Sequence, residues 1–212
     1  MRNRMARTDG GYDDGYRTAP CFWGSQPGRL VQQLTSQLQG WSGLKVLDLG
    51  CGEGKNAMFI ARLGAIVEAY DISPFAIANA KRAWPDHTAV NWTVQDVRAM
   101  SFAQGKYDVV IAYGLLHCLD NSEEVAALLR RLQLACRANG FHVICAFNSR
   151  RQDLRAHPGF EPVLLSHEDY LSFYDGWHVL CASDEDLHEE HPHNRIPHTH
   201  SLTRILARKP TS

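Results

Sequence analysis

The residues best placed to do chemistry are Val46-Leu47-Asp48-Leu49-Gly50-Cys51-Gly52-Glu53-Gly54. An apolar run carries a carboxylate near its end, and three glycines follow at alternate positions. Such a turn is stripped of side chains, so a ligand can lie against bare backbone. A dinucleotide site wants Gly-x-Gly-x-x-Gly. Counted from Gly50 and Gly52, its third glycine falls at position 55, which is Lys55. The pattern present is instead Asp-x-Gly-x-Gly-x-Gly. A second carboxylate, Asp71, follows 23 positions after Asp48 and ends the next apolar run. There it can accept hydrogen bonds from both hydroxyls of a ribose, as an acid about 20 residues on does in dinucleotide folds. Capping the following helix is the alternative, but Ser73 is already placed for that.

These residues need strands to hold them. The apolar pattern predicts strands over 45–49, 66–71, 90–95, 107–113 and 141–147, with helices over 56–63, 74–84 and 122–137 between them. Ser73 and Pro74 mark a helix start. The continuous apolar run at 107–113 fits a parallel strand buried on both faces. Asn139-Gly140 is expected to end the third helix. An earlier helix is expected over 27–38, with Pro27 in its first turn. After residue 150 the pattern predicts a short helix, 167–174, then strands over 177–183 and 198–208. Alternating strands and helices followed by a strand pair predict an α/β, Rossmann-like three-layer αβα sandwich. Residues 1–22 read as a flexible N-terminal segment or lid, its first ten residues disordered, and 23–212 as the single domain.

In its glycine motif and the acids that follow, the chain resembles class I S-adenosylmethionine (SAM) methyltransferases. The resemblance implies a mostly parallel seven-stranded sheet with an antiparallel last strand. It implies SAM as cofactor and S-adenosylhomocysteine (SAH) as product. Asp48 and the backbone of Gly50, Cys51 and Gly52 are expected at the methionine end, with Asn56 and Tyr113. Asp71 and Ile72 are expected at the ribose. Asp96 is expected to accept from the adenine amino group beside the Val97 backbone. Residues 113–117 read Tyr-Gly-Leu-Leu-His, without the Asn/Asp-Pro-Pro-Tyr/Phe motif of enzymes that methylate DNA bases or glutamine amides. That argues for a small-molecule acceptor. His117 could face the transferred methyl.

The chain also resembles the tellurite-resistance (TehB-type) methyltransferases. The matching stretches are 46–54, the Asp71 region, Asp175-Gly176-Trp177, Leu187-His188, Asn194-Arg195-Ile196 and Leu206-Ala207-Arg208-Lys209. This implies that His188 and Arg195 serve the substrate site. The chain departs from the family at His193-Asn194 and in extra residues at 197–200. The resemblance also makes the aromatics Tyr12, Tyr16, Phe22 and Trp23 a lid, with the Tyr16 hydroxyl able to reach the methyl or the substrate. The expected acceptor is a chalcogen oxyanion such as tellurite or selenite, or a thiol. The alternatives are a natural-product O- or N-methyltransferase and a SAM-binding protein without catalysis.

Five histidines crowd into residues 188–200. His198 and His200 would share one face of a strand. Neutral imidazole can take a proton and imidazolium can hold an oxyanion, as can Arg195 by paired hydrogen bonds. A solvated hairpin tip and an adventitious metal site are the other readings, and no metal is assigned. The 22 basic and 23 acidic residues nearly balance, without the basic block that a nucleic-acid partner demands. No apolar run approaches the ~20 residues of a membrane span, and no secretory signal is evident. The six cysteines form no Cys-x-x-Cys pair, and only Cys21 and Cys118 are expected near the site. That is too few to converge on arsenite. The expectation is a cytoplasmic protein with reduced thiols, acting as monomer or homodimer.

Overall fold

The computed structural model describes residues 12–85 and 88–211; the expectation for the first ten residues lies outside them. The strands are β1 (Lys45–Leu49), β2 (Ile66–Asp71), β3 (Val90–Val94), β4 (Tyr107–Tyr113), β5 (Cys136–Gln152), β6 (His178–Glu189) and β7 (His198–Arg208). The helices are α1 (Asp13–Thr18), α2 (Arg29–Leu34), α3 (Lys55–Arg62), α4 (Pro74–Ala83), α5 (Ser122–Ala135) and α6 (His167–Ser172). One seven-stranded sheet runs β3-β2-β1-β4-β5-β7-β6. Only β7 is antiparallel to its neighbours, β5 and β6. The strand order reverses between β1 and β4. In open α/β sheets that switch point opens a crevice at the carboxyl ends of the strands.

The strands read as apolar runs because both of their faces are covered. Val46, Val109, Ile111 and Val143 pack with Leu30 and Leu34 of α2 and Ile60 of α3 on one face. Leu47, Leu49, Val110 and Ile144 pack with Leu128, Leu129 and Leu132 of α5 on the other. The period-2 pleat thus separates two cores. The three α5 leucines are almost wholly buried, and truncating any one to alanine would cost about 2–5 kcal/mol. Asn121 caps this helix by accepting from Glu124 N at 2.9 Å. Ser73 caps α4 by accepting from Ala76 N at 3.1 Å.

Several element ends differ from expectation, each for a local reason. α2 starts at Arg29 rather than Pro27 and tightens into a 3₁₀ turn over Thr35–Gln37. There the Thr35 and Ser36 hydroxyls donate to Gln32 O and Gln33 O, at 2.7 and 2.8 Å. α5 stops at Ala135, before Asn139-Gly140. Arg137 pairs with Asp108 of β4 and Cys136 falls into register with Tyr107, so the chain is drawn into β5 early. β6 runs to Glu189, six residues past the expected end, because β7 pairs with all of its polar half.

β7 is the main surprise in packing. Its sequence opens His-Thr-His-Ser, yet it lies between two strands and is buried at every residue but the last, Arg208. Its polar side chains are satisfied locally: Ser201 Oγ donates to Asp186 at 2.7 Å, and Thr203 Oγ1 lies 3.2 Å from Asn148 Nδ2. Buried polar groups are tolerated when so paired.

His142 on β5 shows the same rule inside the α5 core. It is fully buried. Its Nε2–H donates to Leu132 O and its Nδ1 accepts from the Tyr174 hydroxyl, both at 3.2 Å. Burial pushes its pKa down to about 3, against about 6.5 for an exposed imidazole. As pH falls, the unfolded chain therefore takes up this proton first. The stability contribution, present above about pH 6.5, is lost as pH falls toward about 3, by at most ~1.4 kcal/mol per pH unit. Urea midpoints measured from pH 7 to pH 4 should fall less steeply for His142→Asn than for the parent. Parallel slopes would clear His142 of this role.

Candidate active site

The turn after β1 is held in a shape that only glycine tolerates. Gly52 and Gly54 adopt φ of +54° and +82°. A Cβ on Gly54 would meet the Trp92 ring at 2.1 Å, and one on Gly52 the Tyr16 hydroxyl at 3.0 Å. The turn is pinned to the neighbouring strand. Cys51 N donates to Tyr70 O at 3.0 Å, and Gly52 N donates to Asp71 Oδ2 at 2.8 Å. Asp71 Oδ1 accepts from Ser73 N at 2.9 Å. One carboxylate therefore organises the glycine turn and the start of α4 while it lines the cleft. Burial raises the Asp71 pKa to about 6, with the Ser73 and Gly52 amides pulling the other way.

Asp48 behaves differently. It points from β1 toward α3, where Ala57 N donates to it, and it does not line the cleft. Its Oδ2 is buried and has no hydrogen-bond partner among the described residues. Burial first, and the nearby Asp71 second, raise its pKa to about 8. The Asp48 carboxyl thus sits behind the turn rather than in the cleft lining, and in the ligand-free fold it keeps its proton below about pH 8.

A cleft of about 400 Å³ extends from this turn across the carboxyl ends of the strands. Gly50, Cys51, Gly52, Asn56, Asp71, Ile72, Asp96, Val97 and Tyr113 all line it. Asn56 is engaged, its Oδ1 accepting from Gly28 N at 2.8 Å. Asp96 is engaged by Arg98, whose Nη2 lies 2.7 Å from Oδ2 and whose backbone N donates to Oδ1 at 2.9 Å. These bonds hold the Asp96 carboxyl below the usual carboxylate range.

The far end of the cleft is aromatic. Tyr16 is buried against Gly52 and accepts from Trp23 Nε1 at 3.0 Å. Glu53 fastens the lid segment by accepting from the Cys21 and Phe22 amides, at 2.8 and 2.5 Å. His117 stacks on Phe147 with centroids 3.9 Å apart and planes 6° apart. Phe147 N donates to His117 Nδ1 at 3.2 Å. In the neutral ring the proton is therefore on Nε2, which is buried and unpartnered. Burial, with His200 and His157 nearby, lowers this pKa to about 3. His117 is thus a hydrogen-bond donor with no free lone pair to act as a base.

The structure does not bring His188 or Arg195 to the cleft. β6 alternates: Leu187 and Glu189 face inward, while His188 turns away to Thr199 Oγ1 at 2.8 Å. Arg195 sits in the β6–β7 turn with φ +53°, its side chain 82% exposed and 3.3 Å from Glu190. The hairpin histidines divide likewise: His191, His198 and His200 are buried, whereas His188 and His193 are exposed. Lys55, Glu189 and Arg204 line the cleft and were not expected there. Arg204 carries a buried, unpartnered Nε. Strand alternation could have found Glu189 and Arg204 had the hairpin register been known. Of the two cysteines expected near the site, Cys118 lines the cleft, with Cys51 and Cys145, and Cys21 does not.

Residues 46–140 match a family described as a methyltransferase domain. The chain is 27% identical over 169 residues to the probable S-adenosyl-L-methionine-dependent methyltransferase TehB of Haemophilus influenzae, covering 78% of this chain and 57% of that one. It is 32% identical over 121 residues to a ubiquinone biosynthesis O-methyltransferase of Bradyrhizobium diazoefficiens, covering 57% and 46%. The chain thus spans about half the length of these curated relatives. A solved structure from work on converting a disulfide bond into a thioacetal group in echinomycin biosynthesis shares the fold. It aligns with a TM-score of 0.71 and 23% identity, over 97% of this chain and 93% of that one. Among the described residues no helix is long and apolar enough to cross a membrane.

The buried Asp48 carboxyl generates a prediction. Its folded pKa is raised to about 8, so the ligand-free fold keeps a proton that the unfolded chain loses near pH 4. Its contribution to stability is therefore lost as pH rises toward 8, by at most ~1.4 kcal/mol per unit. Asp48→Asn should lose less of its urea midpoint between pH 6 and pH 8 than the parent does. Identical losses would show that Asp48 holds no such proton.

Proposed function

We propose that this chain, which resembles TehB and carries a match to a methyltransferase domain, is a class I SAM-dependent methyltransferase that transfers the methyl group of SAM to a small, soft nucleophile. The observation that carries this reading is one continuous cleft with a glycine turn over two buried carboxyls at one end and an aromatic wall around an unpartnered imidazole N–H at the other. The residues fit the cofactor: side chains are excluded at Gly52 and Gly54, and Asp48 Oδ2 is an orphaned buried acceptor beneath them. Asp71 would hold the ribose hydroxyls, Asp96 and Val97 the adenine edge, and the backbone from Gly50 to Gly52 the methionine end. The Asp71 carboxylate, ionised above about pH 6, gives this end of the cleft a negative charge that suits a ligand with sulfonium and ammonium groups. SAM supplies a methyl on a sulfonium sulfur, displaced in line. The acceptor's lone pair forms the new bond as the carbon–sulfur pair returns to sulfur.

The chain's own part is positioning and exclusion of water. His117 Nε2–H would hold an acceptor oxygen or sulfur. Lys55 and Arg204 on the same cleft suit an oxyanion or carboxylate, the task first expected of Arg195. His117 cannot take a proton, since Phe147 N–H occupies Nδ1. Burial keeps the Tyr12 and Tyr16 hydroxyls from ionising. The acceptor end therefore favours nucleophiles that need no base: a thiolate, or the lone pair of selenite or tellurite. A phenol or amine acceptor is the second reading, motivated by the similarity to the ubiquinone enzyme.

Two measurements test this. Thiols, selenite, tellurite and phenols are offered with SAM, and SAH release is read. Turnover with thiols or oxyanions supports the proposal; turnover with phenols alone replaces it, and no turnover with SAM bound leaves a binding protein. His117→Ala should lower kcat/KM about tenfold, the weight of one hydrogen bond, with SAH affinity unchanged. Separately, the Asp71 pKa near 6 means that its carboxylate is fully formed only above that pH. SAH should bind more tightly at pH 7 than at pH 5, by up to about tenfold, and Asp71→Asn should bind weakly and flatten the dependence. A variant profile that matches the parent would remove Asp71 from the ribose.

A further inference from the structure

Four imidazoles and a carboxylate meet behind the acceptor end of the cleft, where Glu189 alone of the five is part of the lining. His157 Nε2 lies 3.2 Å from His198 Nε2, 3.3 Å from His200 Nε2 and 3.1 Å from His191 Nε2. Glu189 Oε1 lies 3.5 Å from His198 Nε2 and 3.7 Å from His200 Nε2. The donor atoms of His157, Glu189, His198 and His200 all fall within 4.8 Å of one another. Four donors on a tetrahedral shell with bonds of ~2.0–2.1 Å stand about 3.3 Å apart. The separations of His157 from His198 and from His200 match that shell, the Glu189 oxygen stands slightly outside it, and no pair in the set exceeds 4.8 Å.

Protons do not explain the convergence. His198 Nδ1 lies 2.7 Å from Ile196 O, a carbonyl that can only accept. His200 Nδ1 lies 2.7 Å from Gln152 Oε1. The Gln152 amide is oriented by its Nε2, which donates to Asn148 O at 2.8 Å and to Ser201 O at 2.9 Å. Both rings therefore carry a proton on Nδ1, and in the neutral state both turn bare Nε2 lone pairs inward. With the Glu189 oxygen, three acceptors face one centre, and a neutral His157 can offer them one proton at most. An Nδ1–H held by a protein oxygen is the support that fixes a metal-ligating imidazole. The His198 and His200 side chains are fully buried and that of Glu189 is 18% exposed, so water does little to separate these acceptors.

We propose that His157, Glu189, His198 and His200 bind a divalent first-row transition-metal ion of the zinc class. Imidazole-rich donors with one carboxylate and no thiolate suit Zn(II) or Co(II), whereas Mg(II) and Ca(II) take oxygen ligands. Four protein donors close the shell, which makes the ion structural; His191 stands beside it as a spare imidazole. The ion ties the loop bearing His157 to the β6–β7 hairpin. It also fixes the acceptor wall, because His200 stacks on Phe147 at 4.1 Å and Phe147 stacks on His117. Phe22 of the lid segment stacks on His191 at 5.1 Å, so the lid rests on the same cluster.

The test uses the full chain without a polyhistidine tag, stripped by a chelator and titrated with Zn(II), or with Co(II) as a spectroscopic probe. About one ion per chain is expected, with submicromolar affinity, tetrahedral Co(II) absorption bands and a raised Tm. His157→Gln and His198→Gln should each weaken Zn(II) binding about 100-fold or more. His193→Gln, outside the donor set, should leave it unchanged. SAH affinity in the same variants reports that the fold persists. Because occupancy is read without turnover, its failure is distinct from failure of the methyl-transfer reading. Octahedral Co(II) bands, or binding weakened as much by His193→Gln as by His198→Gln, would mean adventitious capture by surface histidines and overturn the proposal.

Discussion

The contact on which the site depends is the bond from Gly52 N to Asp71 Oδ2. It joins the turn after β1 to the end of β2, and through Ser73 it sets the first turn of α4. A carboxylate buried at this position is costly unless it is hydrogen-bonded. The Ser73 amide supplies one such bond, and the Gly52 amide supplies the other only while the turn keeps its left-handed residues. Turn and carboxylate therefore specify each other, and Trp92 and Tyr16 close around the space left by the absent side chains. Asp48 adds a second buried acid that does not line the cleft. Its cost is limited because burial keeps it protonated below about pH 8, so the ligand-free fold does not bury a second charge there.

The central sheet was legible because its signals are local. The spans 45–49, 66–71 and 107–113 were read to the residue, since each is an apolar run ended by a change of residue type. The final strand, 198–208, was also placed correctly, although its first half is polar. What was not legible depends on pairing across distance. The second half of β6, residues 184–189, looks like a charged loop, and only its register with β7 makes it strand. The same register decides that Glu189 faces the cleft and His188 does not. A one-residue slip would exchange them, and no local pattern fixes that choice. His157 lies in a loop some thirty residues from its nearest partner in the cluster, so no spacing rule could join it to the hairpin. The early end of α5 likewise follows from a tertiary ion pair, Arg137 with Asp108.

The two halves of the cleft are built from different physics. The cofactor half uses backbone and buried carboxyls, which leaves little freedom for substitution. The acceptor half is a stack of flat rings, Phe147 between His117 and His200, with the lid aromatics packed edge-on to one another. Rings can be exchanged for rings without rebuilding the sheet, so the same fold can serve several acceptors.

The reversed direction of β7 has an evolutionary corollary. Because β6 runs with the parallel strands and β7 against them, the turn joining them lies at the carboxyl end of the sheet, over the cleft. Residues can be inserted there without shifting the register of any strand or lengthening any connection between a strand and a helix. Doubling the length of such a flexible loop costs only ~0.6 kcal/mol in closure entropy. The hairpin tip is thus a place where a lineage can lengthen or shorten the mouth of the cleft while the methyl-donor end stays constant.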